Sequence, residues 1–90
     1  MFFVYVILSK KDSRFYIGFS EDVNGRLKDH NDGKVASTKN RRPFELIYYE
    51  AYINKKDAEG REKFLKSGGG HNFLRKQLRN YFTEVHLNQI

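Results

Sequence analysis

The 90-residue chain has no cysteine, no tryptophan, one proline and one methionine. Without cysteine there is no disulfide, no thiolate zinc site and no cysteine nucleophile, and a reducing, cytoplasmic setting is the expectation. No apolar run approaches the roughly 20 residues that span a bilayer, so no membrane partner is expected. No serine or threonine stands in a nucleophile-elbow sequence. His30, His71 and His86 lack a companion ligand at the spacing of zinc proteases or zinc fingers. Acidic residues are also in the minority. Eleven Asp and Glu stand against seventeen Lys and Arg, and the net charge of +6 suits a polyanionic partner such as nucleic acid. What is abundant is aromatic bulk: eight Phe and six Tyr supply the large side chains that a single small core requires.

The order of elements follows from periodicity. Phe2 to Leu8 and Phe15 to Phe19 are short, aromatic and β-branched, and the polar stretch Ser9 to Arg14 between them makes a hairpin. If Leu8 pairs with Phe15, then Val4, Val6 and Leu8 share a face with Phe15, Ile17 and Phe19. Tyr5, Ile7, Tyr16 and Gly18 share the other. Gly18 then lies opposite Tyr5 and leaves space beside its ring. Ser20 reads as the N-cap of a helix running to about His30, with Glu21 and Asp22 in its first turn. Val23 and Leu27 mark its buried side, and Arg26 and His30, four apart, share the neighbouring stripe. Asn31-Asp32-Gly33 ends it.

Lys34 to Arg42 is a basic polar loop, in which Lys34, Thr38, Lys39, Arg41 and Arg42 are the candidate phosphate contacts. Phe44 to Tyr52 reads as a third strand. Asn54 caps a second helix, Lys55 to Ser67. Gly68-Gly69-Gly70 lacks the Lys-Ser/Thr end of a phosphate-binding loop and reads as a helix-helix connection. Asn72 then caps a third helix carrying Phe73, Leu74, Leu78, Tyr81 and Phe82, and Thr83 to Ile90 reads as a frayed tail. The expectation is one α+β domain over residues 1–82 with a tail at 83–90. Its order is β-β-α-β-α-α, a three-stranded antiparallel sheet with three helices, monomeric by default.

The order of particular residues is more specific than the periodicity. Phe3-Val4-Tyr5 is followed by Tyr16-Ile17-Gly18, then by Asn24-Gly25-Arg26-Leu27-Lys28-Asp29-His30-Asn31. Gly33-Lys34, Thr38, Arg42-Pro43, Leu46, Tyr49-Glu50, Ala58 and Arg61-Glu62-Lys63-Phe64-Leu65-Lys66 come after these. This series resembles the GIY-YIG nuclease superfamily, in particular its small stand-alone bacterial members, over almost the whole chain. The resemblance implies a central first strand and a metal-dependent endonuclease that hydrolyses DNA phosphodiester bonds, with RNA as the open alternative, directed by structure more than by sequence. It implies one Mg2+ or Mn2+ ion on Glu62, Tyr5 activating water, Tyr16 orienting that water or the phosphate, Arg26 stabilising phosphorane charge, and His30 assisting a tyrosine. The first tripeptide keeps only its tyrosine, and no cationic residue lies between Gly18 and Arg26, so phosphate electrostatics falls to Arg26 and the Lys34 to Arg42 loop. The alternative reading is a nucleic-acid-binding or scaffold module that keeps the fold with little turnover.

Chemistry constrains the roles. Arg26 is always charged and can grip two phosphate oxygens. A phenol with an ordinary pKa of about 10 is neutral at pH 7. As a base, Tyr5 therefore needs either neighbours that lower its pKa or a route for its proton to His30.

Overall fold

The computed structural model describes residues 1–89, with side chains through Val85. The elements are β1 (Phe2–Ser9), β2 (Phe15–Ser20), α1 (Val23–Asn31), a short 3-10 turn (Lys39–Arg41), β3 (Phe44–Tyr52), α2 (Lys55–Leu65), α3 (Gly68–Gln77) and α4 (Arg79–Gln89). The sheet is antiparallel in the order β2-β1-β3, so the first strand is central. Leu8 pairs with Phe15 and Tyr5 with Gly18, the register expected from the alternation.

Being central, β1 is buried on both faces. Val4 and Val6 join Ile17, Ala58, Leu65 and Leu74 under α2 and α3. Tyr5 and Ile7 join Phe44, with Val23 and Leu27 of α1 packed on them. Each Val, Ile, Leu or Phe among them contributes about 1.5–3 kcal/mol by leaving water. On the β3 side the register slips between Val6 and Ile7, and this irregularity lets both Ile47 and Tyr48 pack toward the α2 layer. No helix among the described residues is long and apolar enough to cross a membrane.

The helix ends differ from expectation. Asp22, not Ser20, caps α1, accepting from the Gly25 amide at 3.0 Å. Ser20 closes a turn just before it, accepting from the Asp22 amide at 2.9 Å. Asn54 caps α2 as expected. The three glycines are the first turn of α3 instead of a connection, and Ser67, not Asn72, caps it by accepting from the Gly70 amide. Gly70 abuts the Leu65 backbone, where a Cβ has no room, so glycine here serves the close approach of two helices rather than helix termination. The chain turns at Leu78 into a fourth helix. Tyr81 and Phe82 belong to this helix, and the expected tail is helical to Gln89; Ile90 lies outside the described residues.

Candidate active site

Tyr5 and Tyr16 come from adjacent strands and share one face, their ring centroids 6.5 Å apart. The Tyr5 ring lies over Gly18, its cross-strand partner. A methyl group at Gly18 would collide with the phenol oxygen and ring, so the absent side chain decides where the phenol goes.

At the end of α1, His30 is completely buried. Its Nε2 is 2.8 Å from the Tyr5 hydroxyl and its Nδ1 is 2.7 Å from Oγ1 of Thr38. The Tyr16 ring meets the imidazole edge-on at 4.8 Å. Two hydrogen arrangements fit this chain, and one satisfies every group within it. Nδ1–H donates to Thr38, whose hydroxyl donates to the Val35 carbonyl at 3.4 Å, and Nε2 accepts from the Tyr5 O–H. The reverse arrangement leaves the Tyr5 hydrogen without an acceptor in the chain.

Burial of both groups is compatible with the same arrangement. Burial pushes the Tyr5 phenol up to about 12, against the opposing pull of the adjacent Arg26. Burial, helped by the Arg26 charge, lowers the His30 pKa. Both groups are therefore neutral near pH 7, with the proton on tyrosine and an open lone pair on histidine. Of the two routes left open by the sequence, the hydrogen bond that would carry the proton to His30 is in place, while the protein groups around Tyr5 by themselves raise its pKa. Tyr5 is only 1% exposed, while Tyr16 and Arg26 are half-buried and reach the surface.

Glu62 enters from α2. Its carboxylate is close enough for its charge to raise the Tyr5 pKa further, and it pairs with Lys66 one turn on at 3.0 Å. The preceding residue sets its direction. Arg61 grips both oxygens of Glu50 on β3, at 2.9 and 3.0 Å, and Tyr48 and Tyr52 donate to the same carboxylate. The Arg61 guanidinium also lies 4.6 Å from the centre of the Phe73 ring. With Arg61 pinned inward, Glu62 falls about 100° further round the helix. Sequence reading assigned no part to this clamp; its signal was a Glu in the third strand and an Arg in the next helix.

The basic loop divides. Thr38 is completely buried and bonded to His30, so its hydroxyl faces the site and not solvent. Arg41 is tied to Asp12 at 2.6 Å and to the Arg14 and Phe15 carbonyls, and it holds the Asp12 carboxyl well below the usual range. Both are engaged within the fold. Lys39 and Arg42 are exposed and line an open hollow with Lys11. Lys34, also exposed, lies 4.0 Å from Asp29, which equally faces Arg26 at 4.0 Å.

Among the described residues no three His, Asp or Glu side chains converge as a ready metal cage. Among the described residues, Glu62 is a carboxylate whose charge reaches Tyr5. This donor set suits a hard ion that keeps most of its waters, as Mg2+ or Mn2+ does, and does not suit zinc.

The family model for the GIY-YIG catalytic domain matches residues 1–76. The chain belongs to the GIY-YIG family. A UPF0213 protein of Staphylococcus epidermidis is 46% identical over 66 residues, covering 72% of this chain and 79% of the relative. A UPF0213 protein of Clostridium perfringens is 40% identical over 67 residues, covering 73% and 71%. The solution structure of a UPF0213 protein from Bacillus halodurans superposes with a TM-score of 0.54 at 32% identity, over 86% of this chain and 85% of that one. Those names state no activity. GIY-YIG nucleases act on nucleic acids, so the residues around Tyr5 lie in a nuclease-type domain.

Proposed function

We propose that this GIY-YIG domain is a divalent-metal-dependent endonuclease hydrolysing DNA phosphodiester bonds, guided by the structure of the polymer more than by its sequence. The observation that carries the reading is the neutral Tyr5-His30-Thr38 chain ending beside Arg26 and Glu62. Water attacks phosphorus as a bridging P–O bond breaks. The water proton passes to the Tyr5 oxygen while the Tyr5 proton passes to Nε2 of His30, and Thr38 holds the imidazolium through Nδ1. Arg26 balances the negative charge that grows on the non-bridging oxygens. Glu62 would hold one Mg2+ or Mn2+, which when bound supplies positive charge to the phosphate and the departing oxygen. Lys34, Lys39 and Arg42 offer phosphate contacts, which position a duplex without reading bases.

The enclosure of Tyr5 favours a second allocation, in which the more open Tyr16 meets the water and Tyr5 only holds His30 in place. Duplex, nicked, flapped and branched DNA, and RNA, incubated with Mg2+ or Mn2+, test the proposal against Tyr5→Phe and Tyr16→Phe. Cleavage lost in Tyr5→Phe and largely kept in Tyr16→Phe supports the first allocation, and the reverse supports the second. Preference for RNA would correct the polymer. Binding without cleavage by the unaltered protein would leave a nucleic-acid-binding module.

A further inference from the structure

Adjacent residues of the edge strand β2 point to opposite faces of the sheet. Tyr16 faces Tyr5 and His30, whereas Phe15 packs toward α3 and α4. Behind β2, on the Phe15 side, lies a cleft of about 850 Å³ between the hairpin turn and the α3-α4 corner. This is large enough to enclose most of a nucleotide-sized ligand.

The lining is cationic and aromatic. Arg14 comes from the turn, Arg75 and Arg79 from successive turns of α3 and α4, and none of the three has a carboxylate partner among the described residues. Asp12, the acidic residue of the lining, is already neutralised by Arg41 at 2.6 Å. Between the arginines lie the half-buried rings of Phe15, His71 and Phe82. Phe15 meets His71 edge-on at 5.5 Å, and the Phe82 ring lies tilted against it at 5.6 Å. Arg79 donates to the Lys76 carbonyl at 3.1 Å, and with no carboxylate paired to these three arginines among the described residues the lining carries a positive charge that suits a polyanion. Ring faces beside cationic side chains are the arrangement on which single-stranded nucleic acid is held, backbone on the charges and bases on the rings.

We propose that this cleft is a second nucleic-acid site, which takes a short single-stranded segment with little regard to sequence. Arg75 and Arg79 hold its phosphates, and a base stacks against Phe82. The proposal deepens the nuclease reading above, because a strand held here lies just across β2 from Tyr16.

The test is fluorescence anisotropy of a short fluorescein-labelled oligothymidylate over a salt series, with unaltered protein, the double variant Arg75→Ala/Arg79→Ala, Phe82→Leu and Lys56→Ala. Thermal unfolding of each checks that the fold persists. The double variant is expected to bind at least about 10-fold more weakly, with a salt slope shallower by roughly 0.7 per arginine removed. Phe82→Leu keeps the apolar bulk of α4 and is expected to lose about 5-fold or more, as one stacked base predicts. Lys56→Ala, at an exposed α2 position outside the cleft lining, is expected to leave this binding nearly unchanged. Unaltered affinity in the double variant, or no oligothymidylate binding by the unaltered protein, overturns the cleft proposal. Duplex cleavage by that same protein would keep the nuclease reading standing. Oligothymidylate bound in the cleft without cleavage of any polymer would do the opposite.

Discussion

The Tyr5 hydroxyl lies 2.8 Å from Nε2 of His30, joining the central strand to the end of the first helix across 25 residues of sequence. Both groups are buried, so the bond is part of the fold as well as part of the site. Tyr5→Phe keeps the ring over Gly18 and removes the donor. Cleavage is expected to fall by at least about 100-fold, the usual reach of a positioned proton-transfer group. Urea unfolding is expected to show a loss of about 1–3 kcal/mol, because Nε2 is left without a partner. A variant as stable as the parent would show that the bond does not form in solution.

Thr38 reaches His30 from the other side, at 2.7 Å from Nδ1. Thr38→Val preserves shape and removes the hydroxyl, freeing the imidazole to change tautomer. Turnover should drop about 10-fold or more while binding to duplex DNA is kept, and Thr38→Ser should restore turnover. Loss of DNA binding in Thr38→Val that Thr38→Ser regains would return Thr38 to the role of a phosphate contact.

Gly18 gives a purely steric test. A methyl group there meets the Tyr5 ring. Gly18→Ala is expected to destabilise the domain by about 1–3 kcal/mol, as overpacking does, and to lower cleavage more than stability explains by moving the phenol away from His30. Full activity in this variant would mean that the phenol position is not critical.

Acidification reports on His30. Burial, with Arg26, holds its folded pKa below the ordinary value of about 6.5, so between the two values the unfolded chain binds more protons. Stability from this group is complete above about pH 6.5 and is lost as pH falls through that window. The urea midpoint of the unaltered protein should therefore fall more between about pH 7 and pH 5 than that of His30→Gln. The acid limb of cleavage should lie below about pH 6.5. Parallel midpoint curves would contradict the burial of a neutral histidine.

Strand alternation alone set the hairpin register, because β1 and β2 carry side chains whose size and polarity change with a period of two. It thereby put Tyr5 and Tyr16 together and Gly18 under the ring. The four-residue spacing of Arg26 and His30 was also legible, but their different fates were not. His30 is sealed beneath Tyr16 while Arg26 reaches solvent, a distinction made by the sheet and not by the helix. The α3 start was misread because glycine has two uses, ending helices and letting backbones touch, and only the neighbour at Leu65 distinguishes them. Thr38 and Arg41 looked like loop residues ready for phosphate because their partners, His30 and Asp12, are distant in sequence. Glu62 was brought to the site by resemblance. The Glu50-Arg61 clamp supplies the physical reason for its direction.

The most direct test of the central claim is the rate of DNA cleavage in Mg2+ or Mn2+ by the unaltered protein beside Glu62→Gln, which keeps the size of the side chain and removes its charge. The unaltered protein should cut, a chelator should stop it, and Glu62→Gln should be slower by at least about 100-fold with its fold intact. Cleavage undiminished by the substitution, or insensitive to the chelator, would contradict a metal-supported site built on Glu62.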